Sequence, residues 1–136
     1  MRYLILIAAL TLASSTTLAD DVSDTDRLLC SQLQVMVCLH SAGCSMVAPA
    51  VVDTPQFLVI DTRKKTASTT RASGDGRSSD IHNLSREGGL IMAQGQHDER
   101  VFSFVIDEAT GTFTGSVASD GYTISSFGAC TDADVK

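Results

Sequence analysis

Between Arg100 and Cys130 the chain reads RVFSFVIDEATGTFTGSVASDGYTISSFGAC, and this stretch restricts the fold more than any other. Phe102, Phe104 and Ile106 alternate with Val101, Ser103 and Val105, the period of two expected of a strand with one buried face. Asp107-Glu108-Ala109-Thr110-Gly111 is turn chemistry: the aspartate can accept from turn amides, and glycine can take a positive φ. Phe113, Gly115 and Val117 then alternate with polar residues. Ser119-Asp120-Gly121 reverses the chain again, and Tyr122-Thr123-Ile124 starts the return. Three short strands in succession point to an antiparallel sheet.

The remaining sequence extends the same pattern. Gln56 to Asp61 reads as a strand of buried type, and Lys65 to Arg71 as its antiparallel partner. Ala72 to Ser79 reads as a flexible loop, Asp80 to Leu84 as a short strand, and Leu90 to Gln96 as another after an Arg86-Glu87-Gly88-Gly89 turn. Pro49 and Pro55 bracket a connector that cannot be a central strand. Val59-Ile60-Asp61 with Thr66 echoes Val105-Ile106-Asp107 with Thr112, best read as one turn device used in two hairpins. Residues 24–39 are ambiguous: Leu29, Leu33, Met36, Val37 and His40 have helical spacing, whereas Val35, Val37 and Leu39 alternate. We expect a strand there, with a short N-terminal helix as the alternative. The expectation is all-β, an antiparallel meander of about eight or nine strands in a small barrel or sandwich. The apolar residues expected to line its interior are Phe57, Val59, Leu90, Met92, Phe102, Phe104, Ile106, Phe113 and Ile124.

Residues 1–19 read as a cleavable signal peptide. Arg2 supplies the positive start, Tyr3 to Leu12 the apolar core, and Thr17-Leu18-Ala19 the cleavage site before Asp20. That apolar run is well short of the ~20 residues of a membrane-spanning helix, so stable membrane insertion is not expected. Residues 20–136 are expected to form a single β-rich domain, periplasmic or secreted. The chain carries a net charge of −6, which disfavours nucleic acid and anionic membranes as partners. Its clustered basic triplet, Arg63-Lys64-Lys65, reads as a solvated turn. Four cysteines in an oxidising compartment read as two disulfides. Of the three pairings, Cys38–Cys44 and Cys30–Cys130 are favoured, the first closing a short hairpin and the second joining the first element to the last. A zinc site is disfavoured because the spacing lacks close Cys-x-x-Cys pairs.

No residue set rises to a catalytic constellation. No serine sits in a Gly-x-Ser-x-Gly elbow, and Asp61 and Asp107 both sit where aspartate caps a turn. His40, His82 and His97 follow no catalytic or metal-ligand spacing, and His97-Asp98-Glu99 reads as a solvated loop tip. An enzyme would need Asp61, His82, His97 and Asp107 to converge in one cleft. Asp75 and Asp80 flank a glycine-rich loop that is not a calcium-loop pattern. No cofactor is implied.

The ordered set Cys38…Gly43-Cys44, Pro55-Gln56-Phe57-Leu58-x-Ile60-Asp61, Gln94-Gly95, Val105-Ile106-Asp107-x-x-Thr110-Gly111 and Phe127-Gly128-Ala129-Cys130 resembles a known pattern. It looks like that of small exported proteobacterial proteins of unknown function that end in a Phe-Gly-small-Cys motif. The resemblance implies export and paired cysteines in a β fold, and carries no activity. Ser119-Asp120-Gly121-Tyr122 is a distant echo of the Ser-Gly-x-x-Tyr loop of periplasmic inhibitors of C-type lysozyme, whose lysine-glycine part is missing here. The expected function is a non-enzymatic binding module that holds a small apolar ligand or a basic protein. The alternatives are an inhibitor of a basic cell-wall hydrolase or a hydrolytic enzyme.

Overall fold

Thirteen residues, Arg27–Leu39, form β1, the strand on which the sheet both begins and closes. The computed structural model describes residues 20–73 and 76–134; the expected signal peptide, residues 1–19, lies outside the described residues. Eight further strands follow: β2 Gly43–Val47, β3 Phe57–Asp61, β4 Thr66–Thr69, β5 Ser78–Glu87, β6 Leu90–His97, β7 Arg100–Asp107, β8 Thr112–Ser119 and β9 Tyr122–Asp132. From β3 to β9 each strand pairs antiparallel with the next, and β9 returns to β1. The result is a closed eight-stranded barrel, with β2 as an extra strand beside it. Closure removes the free edges that would end a sandwich.

The dual role of β1 explains its length. Residues Arg27 to Ser31 pair with β3, and Val35 to Leu39 pair with β2 on the same side. Between these spans the ladder to β9 slips by one residue, between Gln32 and Gln34. Leu33 is the residue left over, and it is 69% exposed. The helical alternative for residues 24–39 fails on this face. Leu28, Cys30 and Val35 are buried, while Leu33 of the helical set is turned outward.

Both disulfides have the expected pairing, Cys30–Cys130 and Cys38–Cys44. Each joins directly opposed residues of antiparallel strands. Cys30 and Cys130 are buried inside the barrel, and their placement fixes which face of each neighbouring strand points in. Cys30 lies opposite Leu58 and Leu28 opposite Ile60, so β3 turns Leu58 and Ile60 inward. Phe57 and Val59 therefore do not line the interior as expected. In β6 the inward residues are Ile91, Ala93 and Gly95 rather than Leu90 and Met92. Both strands carry apolar residues on both faces at these positions, so periodicity alone leaves the phase open. Phe104, Ile106, Phe113 and Ile124 are buried as expected, and Phe102 packs against the core. Burying Phe113 completely is worth about 2–3 kcal/mol in transfer terms.

The turn device repeats as the sequence suggests. Asp61 Oδ1 accepts from the Lys64 amide at 2.8 Å, and Asp107 Oδ1 from the Thr110 amide at 2.9 Å. The next residue is left-handed in both, Lys65 at φ 53° and Gly111 at φ 65°. A lysine there is strained by about 1–2 kcal/mol, part of which glycine loses again through its freer unfolded chain. Lys65→Gly is thus expected to raise stability by about 0.5 kcal/mol. Urea unfolding checks it, and a loss of stability would contradict this account of the turn.

One end of the barrel is shut by the segment before β1. Val22 is fully buried there, and its amide donates to the Glu108 carbonyl at 2.7 Å. Arg86 ion-pairs with Glu108 and donates to the carbonyls of Val22 and Thr25 at 3.1 and 3.0 Å. Ser23 donates from its hydroxyl and its amide to Asp21, which holds that carboxyl below its ordinary value of 3.8. The lowered value makes this small contribution present above pH 3.8 and lost as the solution is acidified.

Candidate functional site

Strand parity places three basic side chains at the end opposite Val22. In β5 and its approach, Arg77, Ser79 and Ile81 share the inward parity, and Ile81 is buried. In β6 the inward row Ile91, Ala93, Gly95 ends at His97. In β7 the inward row Phe104 and Phe102 ends at Arg100. Each basic residue thus sits one step beyond the packed part of its strand, where the barrel opens.

Below them is a cavity of about 100 Å³. Leu58, Ala67, Phe102, Phe104 and Val117 supply its apolar wall, and Gln32, Thr54 and Ser126 are the buried polar residues beside them. The rings of Phe102 and Phe104 are stacked with centroids 4.9 Å apart. Glycines beside it let the aromatic rings pack close against the strands. A methyl on Gly115 would come within 2.9 Å of the Phe113 ring and 2.7 Å of Ser126 Oγ, and one on Gly95 would run into the Phe102 ring. The interior is therefore filled at the Val22 end and hollow at the other.

The rim is built around Asp53. The 3-10 turn Pro49–Val52 ends at this residue, which is left-handed at φ 50°. Its carboxylate lies 3.1 Å from Arg77 Nη1 and 3.8 Å from Arg100 Nη1. Its carbonyl also accepts from both guanidiniums, at 3.5 and 3.4 Å. The Gln32 side-chain amide donates to the Pro55 carbonyl, tying the turn back to β1 at the bulge. His97 Nδ1 lies 2.7 Å from Ser79 Oγ, and Nε2 lies 3.5 Å from Asp98 Oδ2. Arg100 also stacks 5.8 Å above the Tyr122 ring. Further out, the hairpin tips carry Asp98, Glu99 and Asp120, all exposed.

The four residues singled out for the enzyme reading, Asp61, His82, His97 and Asp107, are not gathered in one cleft. Asp107 and His97 lie at opposite ends of the β6–β7 hairpin, about 23 Å apart along the strands at ~3.3 Å per residue. Asp61 ends β3 and is held by its own turn, and His82 is exposed on β5. Among the described residues no group of three or more His, Cys, Asp or Glu is placed to hold a metal ion. Among the described residues, His97 is the one titratable group singled out from sequence that reaches the cavity; Asp75 lies outside the described residues. Asp53 and Arg77 went unnoticed because neither sits in a motif, and Arg100 because it follows His97-Asp98-Glu99, read as a solvated loop tip. The one available signal was Arg100, which shares the parity of Phe102, Phe104 and Ile106. No family model matches this chain, and neither a curated protein nor a solved structure does.

Proposed function

We propose that this protein is a non-enzymatic binding module that seats a small ligand with an apolar body in the open end of its barrel. The observation that carries this reading is the asymmetry of the interior, plugged by Val22 at one end and hollow beside Phe102 and Phe104 at the other. A dry cavity of ~150 Å³ accommodates a benzene ring, so about 100 Å³ suits an apolar group of about four to six carbons. The two disulfides are consistent with the exported setting that residues 1–19 suggest.

Thermal unfolding in the presence of short-chain C4–C8 compounds tests the reading. A ligand at 100 times its Kd adds about 2.7 kcal/mol to the folded state, so a bound member of the set raises Tm measurably. Val117→Phe, which fills the cavity from a half-buried wall position, is expected to abolish that increase without lowering the ligand-free Tm by more than a few degrees. If no compound at millimolar concentration shifts Tm, the cavity is not a binding site.

The acidic hairpin tips favour one second reading, an inhibitor that docks by this rim on a basic cell-wall hydrolase. Asp98, Glu99 and Asp120 present negative charge around the open end, which suits electrostatic capture of a basic partner. Micromolar protein should then slow lysis in a lysozyme assay, and an unchanged rate rejects it.

A further inference from the structure

We propose that the ligand is a neutral alcohol whose hydroxyl seats on buried polar side chains in the cavity wall. The proposal rests on the binding reading given above and adds the polar group that the apolar body carries. Three polar side chains of the wall are at least nine-tenths buried: Gln32 at 4% exposure, Ser126 at 5% and Thr54 at 9%. The hydroxyls of Ser126 and Thr54 make no hydrogen bond among the described residues. Gln32 has one end engaged. Its Nε2 donates to the Pro55 carbonyl, and because a carbonyl only accepts, the orientation of the amide is fixed. Oε1 is then the other end, and it too has no partner among the described residues. None of these three atoms is sealed in the wall; each is open to the space it lines.

A buried hydroxyl or amide oxygen without a partner is costly to a fold. Three around one apolar hollow mark a place for a partner from outside. Strand register sets two of them near each other: Gln32 stands opposite Gly128, and Ser126 lies two residues along the same face of β9, a diagonal of about 7–8 Å. Thr54 adjoins Pro55, whose carbonyl holds the Gln32 amide. The donors and acceptors then select the ligand group. Gln32 Oε1 only accepts, whereas serine and threonine hydroxyls do both. A ligand hydroxyl can donate to Oε1 and accept from either hydroxyl. A ketone cannot donate, a carboxylate would set a negative oxygen against Oε1, and a hydrocarbon leaves all three atoms unpaired. A full charge beside Phe102 and Phe104, which take the alkyl part, costs more than neutral partners return.

Titration calorimetry on the full chain, with pentan-1-ol, pentan-2-one and 1-chloropentane as probes, tests this. Wild type is expected to bind pentan-1-ol about tenfold tighter than pentan-2-one, or better. Ser126→Ala is expected to weaken pentan-1-ol about tenfold and to leave 1-chloropentane unchanged or bound more tightly. The ligand-free Tm of Ser126→Ala is expected to stay the same or rise, because the substitution removes an unpaired hydroxyl and no hydrogen bond of the fold. A clear fall in that Tm would show that the hydroxyl serves the fold, and overturns the proposal. Equal binding of alcohol and ketone, or pentan-1-ol binding that Ser126→Ala does not weaken, overturns the hydroxyl inference and leaves the cavity reading intact. Binding of none of the three probes by wild type overturns both.

Discussion

Replacing Cys30 and Cys130 with alanine is expected to lower the unfolding free energy by about 4–5 kcal/mol, the chain-entropy value for a crosslink spanning about 100 residues. The two cysteines are separated by 100 positions, so the bond ties the first barrel strand to the last. In the unfolded chain it removes more freedom than any other crosslink this sequence could form. Cys38–Cys44 spans only 6 positions, and the same model gives it about 2 kcal/mol. The β1–β2 hairpin also holds those residues together without help. Urea unfolding of the Cys30→Ala/Cys130→Ala and Cys38→Ala/Cys44→Ala variants should therefore differ by at least about 2 kcal/mol in favour of the first having the larger effect. Reductant should reveal the same order. Cys44 is exposed, whereas Cys30 and Cys130 are buried, so the hairpin bond opens first with little change in Tm. Equal losses from the two pairs would show that the barrel seam does not depend on its crosslink.

That pairing was legible in the sequence because spacing and turn residues agreed: Ser41-Ala42-Gly43 bends the chain between Cys38 and Cys44. The β6–β9 meander was legible for a similar reason, since alternation and Asp-Gly turns point the same way. What sequence could not supply was the phase of strands that are apolar on both faces. Leu90-Ile91-Met92-Ala93 fits either assignment, and only the packing of Ala93 and Gly95 beside the Phe102 and Phe104 rings decides it. The bulge at Leu33 was equally silent, because it arises where β1 exchanges β3 for β2 as a neighbour. The site was hidden for a further reason. Asp53 caps the 3-10 turn, Arg77 precedes β5 and Arg100 begins β7, and only the tertiary fold brings them within ion-pair distance. Isolated charges in loops look solvated until tertiary structure gives them partners.

The Phe-Gly-Ala-Cys ending contains the second large expectation. Gly128→Ala should cost about 3 kcal/mol, the upper range for forcing one extra methyl into packed surroundings. Gly128 stands opposite Gln32 on β1 and Phe113 on β8. A methyl at this position would run into the Ser31 carbonyl oxygen, and would lie 2.9 Å from its carbon and 3.2 Å from Gln32 Cα. All three atoms belong to backbone, so no side-chain rotation relieves the overlap. Relief requires β1 to move away from β9 beside the bulge, next to the buried Cys30–Cys130 bond and across the ladder that closes the barrel. Gly76→Ala is the control, since a methyl there meets nothing within 4 Å. For a domain of this size about 3 kcal/mol corresponds to a Tm decrease of roughly 10 °C or more. Thermal unfolding of the two variants decides the matter. A Gly128→Ala protein within about 1 kcal/mol of wild type would mean that β1 and β9 can separate at this point without loss. The barrel would then be closed by the disulfide and the outer ladder pairs, and the glycine would owe its place to something other than close backbone approach.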